Sequence, residues 1–358
     1  FNMALIDSDE KILPFKKLVD AVHREGGKIV IQINHAGRQT SSSMTGSPIV
    51  APSAIPCPVR KEMPKELSQE EIQKIVDAFR DAARRVKEAG ADGVEIHMAH
   101  GYLLNQFLSP FSNQRTDEYG GDPERRMRMA LEVLRTVRNR VGSDFLVLCR
   151  LSADEYVEGG LKLDDSKEIA KALERNGADA LHVSACVAAS GYLNHPPYYA
   201  DEGIFAHLAQ GIKSVVSIPV IAVGRIRTPE LANRILEEKK ADLISMGRAF
   251  IADPNFPVKT LQGKTEEIIP CISCNRCILS IRKGALQCAV NPETGREEMF
   301  KLQKTDQPKK VWIVGGGPAG MKAAEIAALR GHQVSLYEEK ERLGGKFLLA
   351  AVPPRKQV

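Results

Sequence analysis

The strongest constraint on this chain is a repeated order: an amphipathic helix, a short turn, then an apolar strand. Phe15, Leu18, Val19 and Val22 fall at helical spacing, Gly26-Gly27 stop the helix, and KIVIQIN (28–34) is the strand it feeds. Ser68 and Glu71 form a capping box for a helix carrying Ile72, Ile75, Val76, Phe79 and Val86. Gly90-Ala91-Asp92 then turns into GVEIH (93–97). Asp122 with Pro123 starts the next helix, and FLVLCR (145–150) follows it. A helix ending near Asn176 turns through Gly177-Ala178-Asp179 into ALHVS (180–184). IPVIAVG (218–224), a helix opened by Thr228-Pro229, and Ala241-Asp242 before LISMG (243–247) complete the series. The recurring Gly-Ala-Asp turn reads as a structural repeat without catalytic meaning.

Six such units with continuously apolar strands imply a parallel sheet buried on both faces. A doubly wound open sheet is one solution. A (β/α)8 TIM barrel lacking its first two strands fits better. Barrels carry function at the carboxyl ends of their strands. Those ends read Gln32 and His35, His97, Arg150, Ser184, Gly224-Arg225 and Gly247-Arg248. Gly-Arg after two successive strands suits a phosphate, because glycine lets the backbone approach and arginine pairs with the anion. With two strands missing, these would be strands seven and eight, where barrels often bind phosphate.

The densest chemistry lies in VEIHMAHGYLLNQFLSPFSNQRTDEYGG (94–121), which sets His97, His100 and Tyr102 just past a strand. All three can donate a hydrogen bond, and Tyr102 can also give up a proton. This stretch closely resembles the signature of the old yellow enzyme family of FMN-dependent reductases, and the resemblance covers roughly residues 1–265. It implies that Gln32 contacts the flavin ring edge and that Arg150 stabilises negative charge near the flavin N1 and O2. It implies that Gly224, Arg225, Gly247 and Arg248 hold the FMN phosphate. His97 and His100 would grip the carbonyl oxygen of an α,β-unsaturated substrate, with Tyr102 protonating the carbon beside that carbonyl. Two imidazole donors on a developing enolate oxygen are worth a few kcal/mol of barrier. The flavin does the redox chemistry while the protein orients and polarises.

Four of the seven cysteines crowd between positions 271 and 288. Cys271, Cys274 and Cys277 in CISCNRC, with Cys288 after ten intervening residues, suit a [4Fe–4S] cluster better than the paired knuckles of zinc. Cys57, Cys149 and Cys186 fit no such pattern and read as core thiols. Further on, a strand (311–314) runs into Gly315, Gly317 and Gly320 and a helix to Arg330; the strand QVSLYE then ends at Glu338. That is a dinucleotide-binding turn with an acid placed for a ribose hydroxyl, and Gly344-Gly345 beyond it resembles FAD domains. The expected divisions are an FMN-binding barrel (1–265), a cluster segment (266–300) and the start of an FAD/NAD(P)-binding domain (308–358).

This order resembles a multidomain branch that includes 2,4-dienoyl-CoA reductase, trimethylamine dehydrogenase and clostridial enoate or bile-acid reductases. It implies electrons passing from NAD(P)H to FAD, through the cluster, to FMN and on to an alkene. The reading is an ene reductase acting on an α,β-unsaturated carbonyl, enoate or enoyl thioester. Two alternatives stand beside it, an amine dehydrogenase and an electron-transfer flavoprotein module. An aromatic content of 5% offers little for an aromatic bowl around a cationic substrate.

A net charge of +5 on a mixed surface is too weak to argue for nucleic acid. No apolar run reaches membrane-spanning length and no leader is evident, so a cytoplasmic location without membrane contact is expected. A homo-oligomer is compatible with this. Phe1 opens almost directly on a helix and Val358 follows closely on a motif that normally opens a domain, so both ends are expected to lie inside a longer protein.

Overall fold

The computed structural model describes residues 4–281 and 283–353. They form two compact units, one running to Pro196 with Ala200–Met246, the other Pro197–Tyr199 with Gly247 onward.

In the first unit, β1 (Val30–Ile33), β2 (Gly93–Met98), β3 (Leu146–Ser152), β4 (Ala180–Ser184), β5 (Val220–Ala222) and β6 (Leu243–Ile244) make one six-stranded sheet. Every pairing is parallel, and each strand lies beside the next in sequence. A doubly wound sheet must reverse its order at a switch point. Among the described residues this sheet has no reversal, so its winding is that of a β/α barrel.

The repeated turn has a mechanical reason. Asp92 Oδ2 accepts the Ile29 N–H at 2.8 Å, Asp179 Oδ2 the Val147 N–H at 2.7 Å, and Asp242 Oδ2 the Val220 N–H at 2.9 Å. Each aspartate returns its own N–H to the carbonyl of the same residue, at 2.9, 2.9 and 2.8 Å respectively. The motif therefore staples the start of each strand to its neighbour.

Strand register separates two faces. Ile33, Ile96, Cys149, Leu181 and Val220 lie side by side on one, packed into the main core. Against them the Gln69–Glu88 helix buries Ile72, Val76, Phe79, Ala83 and Val86. The Pro123–Val141 helix adds Met129, Val133, Leu134 and Val137. The predicted capping box at Ser68 and Glu71 and the Asp122-Pro123 start are both present.

The other face differs from the expectation of strands apolar throughout. Gln32 lies beside Glu95, His97 beside Arg150, Arg150 beside His182, and Ser152 beside Ser184. Alternation along each strand sends every second side chain here, so this face is polar while the other builds the core.

In the second unit, β7 (Lys310–Val314) and β8 (Gln333–Tyr337) pair in parallel, joined by the Pro318–Leu329 helix. The cysteine segment carries the short Arg276–Ile281 helix. Among the described residues no helix is long and apolar enough to cross a membrane.

Candidate active site

β2 delivers His97 to the polar face, and the chain then turns sharply. His100 takes a left-handed φ of 61°, which a side chain adopts only when its surroundings fix it. They do so here: its N–H donates to Ser152 Oγ at 2.9 Å, and its carbonyl accepts from Gln39 Nε2 at 2.6 Å. Tyr102 caps the wholly buried Leu103–Leu108 helix. That helix is anchored from within by Asn105, whose Nδ2 donates to Glu155 Oε1 at 2.8 Å and whose Oδ1 accepts the Gly101 N–H at 2.5 Å. Glu155 also accepts from Ser109 Oγ at 2.6 Å and the Leu161 N–H at 3.0 Å.

His97, His100 and Tyr102 share the wall of a cavity of about 600 Å³ with Gln32, Asn34 and His35. Tyr102 packs edge-on to His97 with ring centroids 5.1 Å apart. Burial, and then the Arg150 guanidinium, hold His97 down to about 3, and the same two causes hold His100 well below the ordinary imidazole range. Burial lowers His35 too. It pushes the Tyr102 phenol up against the opposing pull of Arg60, so the phenol keeps its proton. The site is neutral at its donors, with the Arg150 guanidinium and the Glu95 carboxylate acting on His97 in opposite directions.

Beside it lie residues that the sequence reading left out. Gln32 Nε2 donates to Glu95 Oε1 at 2.5 Å, and Glu95 Oε2 meets His182 Nδ1 at 2.8 Å. Burial pushes the Glu95 carboxyl up, but His182, Arg150 and Gln32 together carry it below its ordinary value. Among the described residues, the buried Asn34 Oδ1, Arg150 Nε and His182 Nε2 have no hydrogen-bond partner. A bound group with both donors and acceptors would satisfy such atoms, and a flavin's pyrimidine edge is one. Period-two alternation was the available signal: Glu95 precedes His97 by two positions, and His182 precedes Ser184 by two.

The Gly-Arg pairs divide. Gly224 has φ 128°, and a Cβ there would meet Phe205 Cδ2 at 2.7 Å, so packing alone demands glycine. Arg225 Nη1 donates to the Ala200 carbonyl at 2.6 Å. A Cβ on Gly247 would meet nothing within 4 Å. Arg248, expected at a phosphate, donates from Nη1 to Asn275 Oδ1 at 2.5 Å within the second unit.

Arg248 also lines a small cavity together with all four predicted ligands, Cys271, Cys274, Cys277 and Cys288. Ser273 and Asn275, between the first three thiols, hold left-handed φ of 49° and 59° and curl the loop around that cavity. Among the described residues no three metal-ligating side chains are set for a single ion. Four thiols around one cavity are the donor set that a [4Fe–4S] cluster uses. Cys57, Cys149 and Cys186 are buried thiols of the first unit, and burial pushes Cys186 up to about 12.

In the nucleotide turn, a Cβ on Gly320 would sit 1.9 Å from the Gly315 carbonyl oxygen, so the helix can approach the strand only with glycine there. Gly315 has φ 103°, and Gly317 is the N-cap. Glu338, expected on a ribose, accepts the Gly316 N–H through Oε2 at 2.6 Å.

Comparison with known proteins fits this geometry. Residues 2–267 match the NADH:flavin oxidoreductase / NADH oxidase family, and residues 313–353 match an NAD(P)-binding Rossmann-like domain. The chain is 48% identical to an NADH oxidase of Thermoanaerobacter brockii, over 98% of this chain and 55% of the relative. It is 43% identical to an N,N-dimethylglycine/sarcosine dehydrogenase of Chromohalobacter salexigens (98% and 52% covered). Against a cinnamate reductase of Clostridium sporogenes the identity is 40% (95% and 54% covered). The solved complex of 2-naphthoyl-CoA reductase with 2-naphthoyl-CoA superposes with a TM-score of 0.93 at 32% identity, covering 98% of this chain and 56% of that one. The chain spans about half the length of the curated relatives it matches.

Proposed function

We propose, from the premise that this chain belongs to the NADH:flavin oxidoreductase / NADH oxidase family, that it serves an NAD(P)H-dependent ene reductase. The substrate class is an α,β-unsaturated carbonyl, enoate or enoyl thioester. One observation carries the reading: a protonated phenol and a neutral imidazole share a cavity wall, with the Arg150 guanidinium acting on the imidazole.

A flavin held by Gln32 and Arg150, with Gly224 and Arg225 toward its phosphate, would supply hydride to the alkene. The chain's own residues do the rest. His97 polarises the substrate oxygen, and Arg150 steadies negative charge nearby. Tyr102 delivers a proton to the carbon beside the carbonyl; its raised pKa keeps that proton in place until charge develops. Cys271, Cys274, Cys277 and Cys288 fit a [4Fe–4S] cluster, and Gly315, Gly317, Gly320 and Glu338 fit the FAD half of the assembly. Cinnamate, an α,β-unsaturated acid, is the substrate class in the name of one relative.

The dehydrogenase relative favours a second reading, amine oxidation. The field of Arg150, which depresses both histidines, opposes a cationic amine and favours an oxyanion. To test this, the cofactor-loaded protein is reduced anaerobically with NAD(P)H and mixed with 2-cyclohexenone or cinnamate; the oxidised protein is mixed separately with dimethylglycine. Reoxidation of the flavin spectrum by the alkene, with no bleaching by the amine, is expected. Bleaching by the amine with no response to either alkene would overturn the reading.

A further inference from the structure

The protonation pattern of the two histidines can be read from a single unambiguous donor. The Ala99 N–H can only donate, so His97 Nδ1, at 3.2 Å, must accept. A neutral His97 then carries its proton on Nε2, facing His100 Nδ1 at 3.2 Å. His100 Nδ1 accepts that proton, so the neutral His100 ring is protonated on Nε2, 2.7 Å from Ser184 Oγ. The result is a one-way chain, His97 to His100 to Ser184. Both imidazole N–H groups are committed within it, and the pair has no second N–H to offer.

A carbonyl oxygen only accepts, so the pair as it stands can offer it one proton from two nitrogens. The alternative arrangement has His100 protonated on Nδ1. The N–H groups of His97 Nε2 and His100 Nδ1 then face each other, which is repulsive in a free site and fully satisfied when an oxygen sits between them. That arrangement leaves His100 Nε2 as a bare acceptor needing a donor. Ser184 can supply it, because a hydroxyl changes from acceptor to donor by turning about one bond. Little else at Ser184 can move. Its side chain is buried at the end of β4, its residue lies beside Ser152 in the sheet, and its carbonyl accepts the Ala153 N–H at 2.8 Å.

We propose that Ser184 is a positioning residue that switches the tautomer of His100. Its hydroxyl accepts from His100 Nε2 in the free site and donates to it when a substrate carbonyl binds, turning the histidine pair into a two-donor clamp. The exchange conserves protons: the imidazole moves one proton between its own two nitrogens and the hydroxyl keeps its own. The proposal rests on the reading of this pair as the oxygen-binding site. An alanine at 184 could fill neither role, and a carboxylate could only accept, holding His100 in the unproductive tautomer.

The test uses the oxidised, cofactor-loaded protein with 15N-labelled histidine and 2-cyclohexenone, an acceptor-only probe that is not turned over without NAD(P)H. Ring 15N shifts distinguish a protonated from a bare nitrogen. On binding, His97 should keep its proton on Nε2 while His100 moves from the Nε2–H to the Nδ1–H form. Ser184→Ala should bind the enone roughly tenfold more weakly, the scale of one hydrogen bond. Ser184→Thr should restore binding. A response at His97 with His100 still protonated on Nε2 would overturn the switch and leave the ene-reductase reading standing. No response at either histidine would overturn both. If Ser184→Ala fails to fold, the wild-type spectra still decide.

Discussion

β2 and β7 are both short apolar strands that run into a turn and a helix, yet they end in opposite environments. All six residues of β2 are buried. In β7 the pattern alternates, with Trp312 75% and Val314 89% exposed. β2 has a strand on each side and a long helix over its apolar face, whereas β7 has β8 alone among the described strands. The difference reaches the chemistry. Low dielectric around β2 makes side chains such as His97 and Glu95 responsive to one another. The β7 turn instead works through backbone: its Gly316 N–H is already held by Glu338, and Gly320 is there because nothing larger fits.

The contrast can be broken from either side. The largest effect is expected from Tyr102→Phe, which removes the proton donor but keeps the ring packed on His97. Alkene reduction should fall by ~10²–10⁴, the usual weight of a general acid, while NAD(P)H still reduces the flavin. Unchanged single-turnover reoxidation by cyclohexenone would mean that the half-buried phenol is only packing.

Cys274→Ser acts on the other unit. It should lower iron from about four per chain toward none and leave the unfolding midpoint of the first unit in place. Full iron retention would remove Cys274 from the ligand set.

The smallest effect is a pH dependence. Burial holds His97 at about 3 when folded, while an unfolded imidazole titrates near 6.5. Below that value the unfolded chain takes up a proton that the folded site refuses. The stability of the first unit should therefore be complete above about pH 6.5 and decline toward pH 3, which a urea midpoint at pH 7.5 and 5.5 would detect. Burial raises the Glu155 carboxyl and so pulls the opposite way. The difference between wild type and His97→Asn isolates the imidazole, and equal slopes in the two proteins would sink the assignment.

How much was legible depended on distance along the chain. The capping box at Ser68, the Asp122-Pro123 helix start and the glycine turn at 315–320 are all set within a few residues, and the fold honours each of them. The grouping of His97, His100 and Tyr102 was legible for the same reason. Other features depended on register. Glu95 finds His182 across 87 positions and Gln32 across 63, and no local pattern states which residues will face one another. The expectation of two free imidazole donors missed the Ala99 N–H, whose direction appears only once the turn is folded.

The sequence by itself determined the order of strands and helices, the staple at each Ala-Asp turn, and which residue types could do chemistry, because hydrophobic period and capping are short-range. Tertiary structure alone decided that the polar side chains of separate strands share one face. It also decided that burial keeps His97 and His100 neutral, and that Ser184 lies where it can set a proton's position. The reason is physical: hydrogen bonds and desolvation depend on what surrounds a group in space, and a parallel sheet brings together residues that the chain keeps far apart.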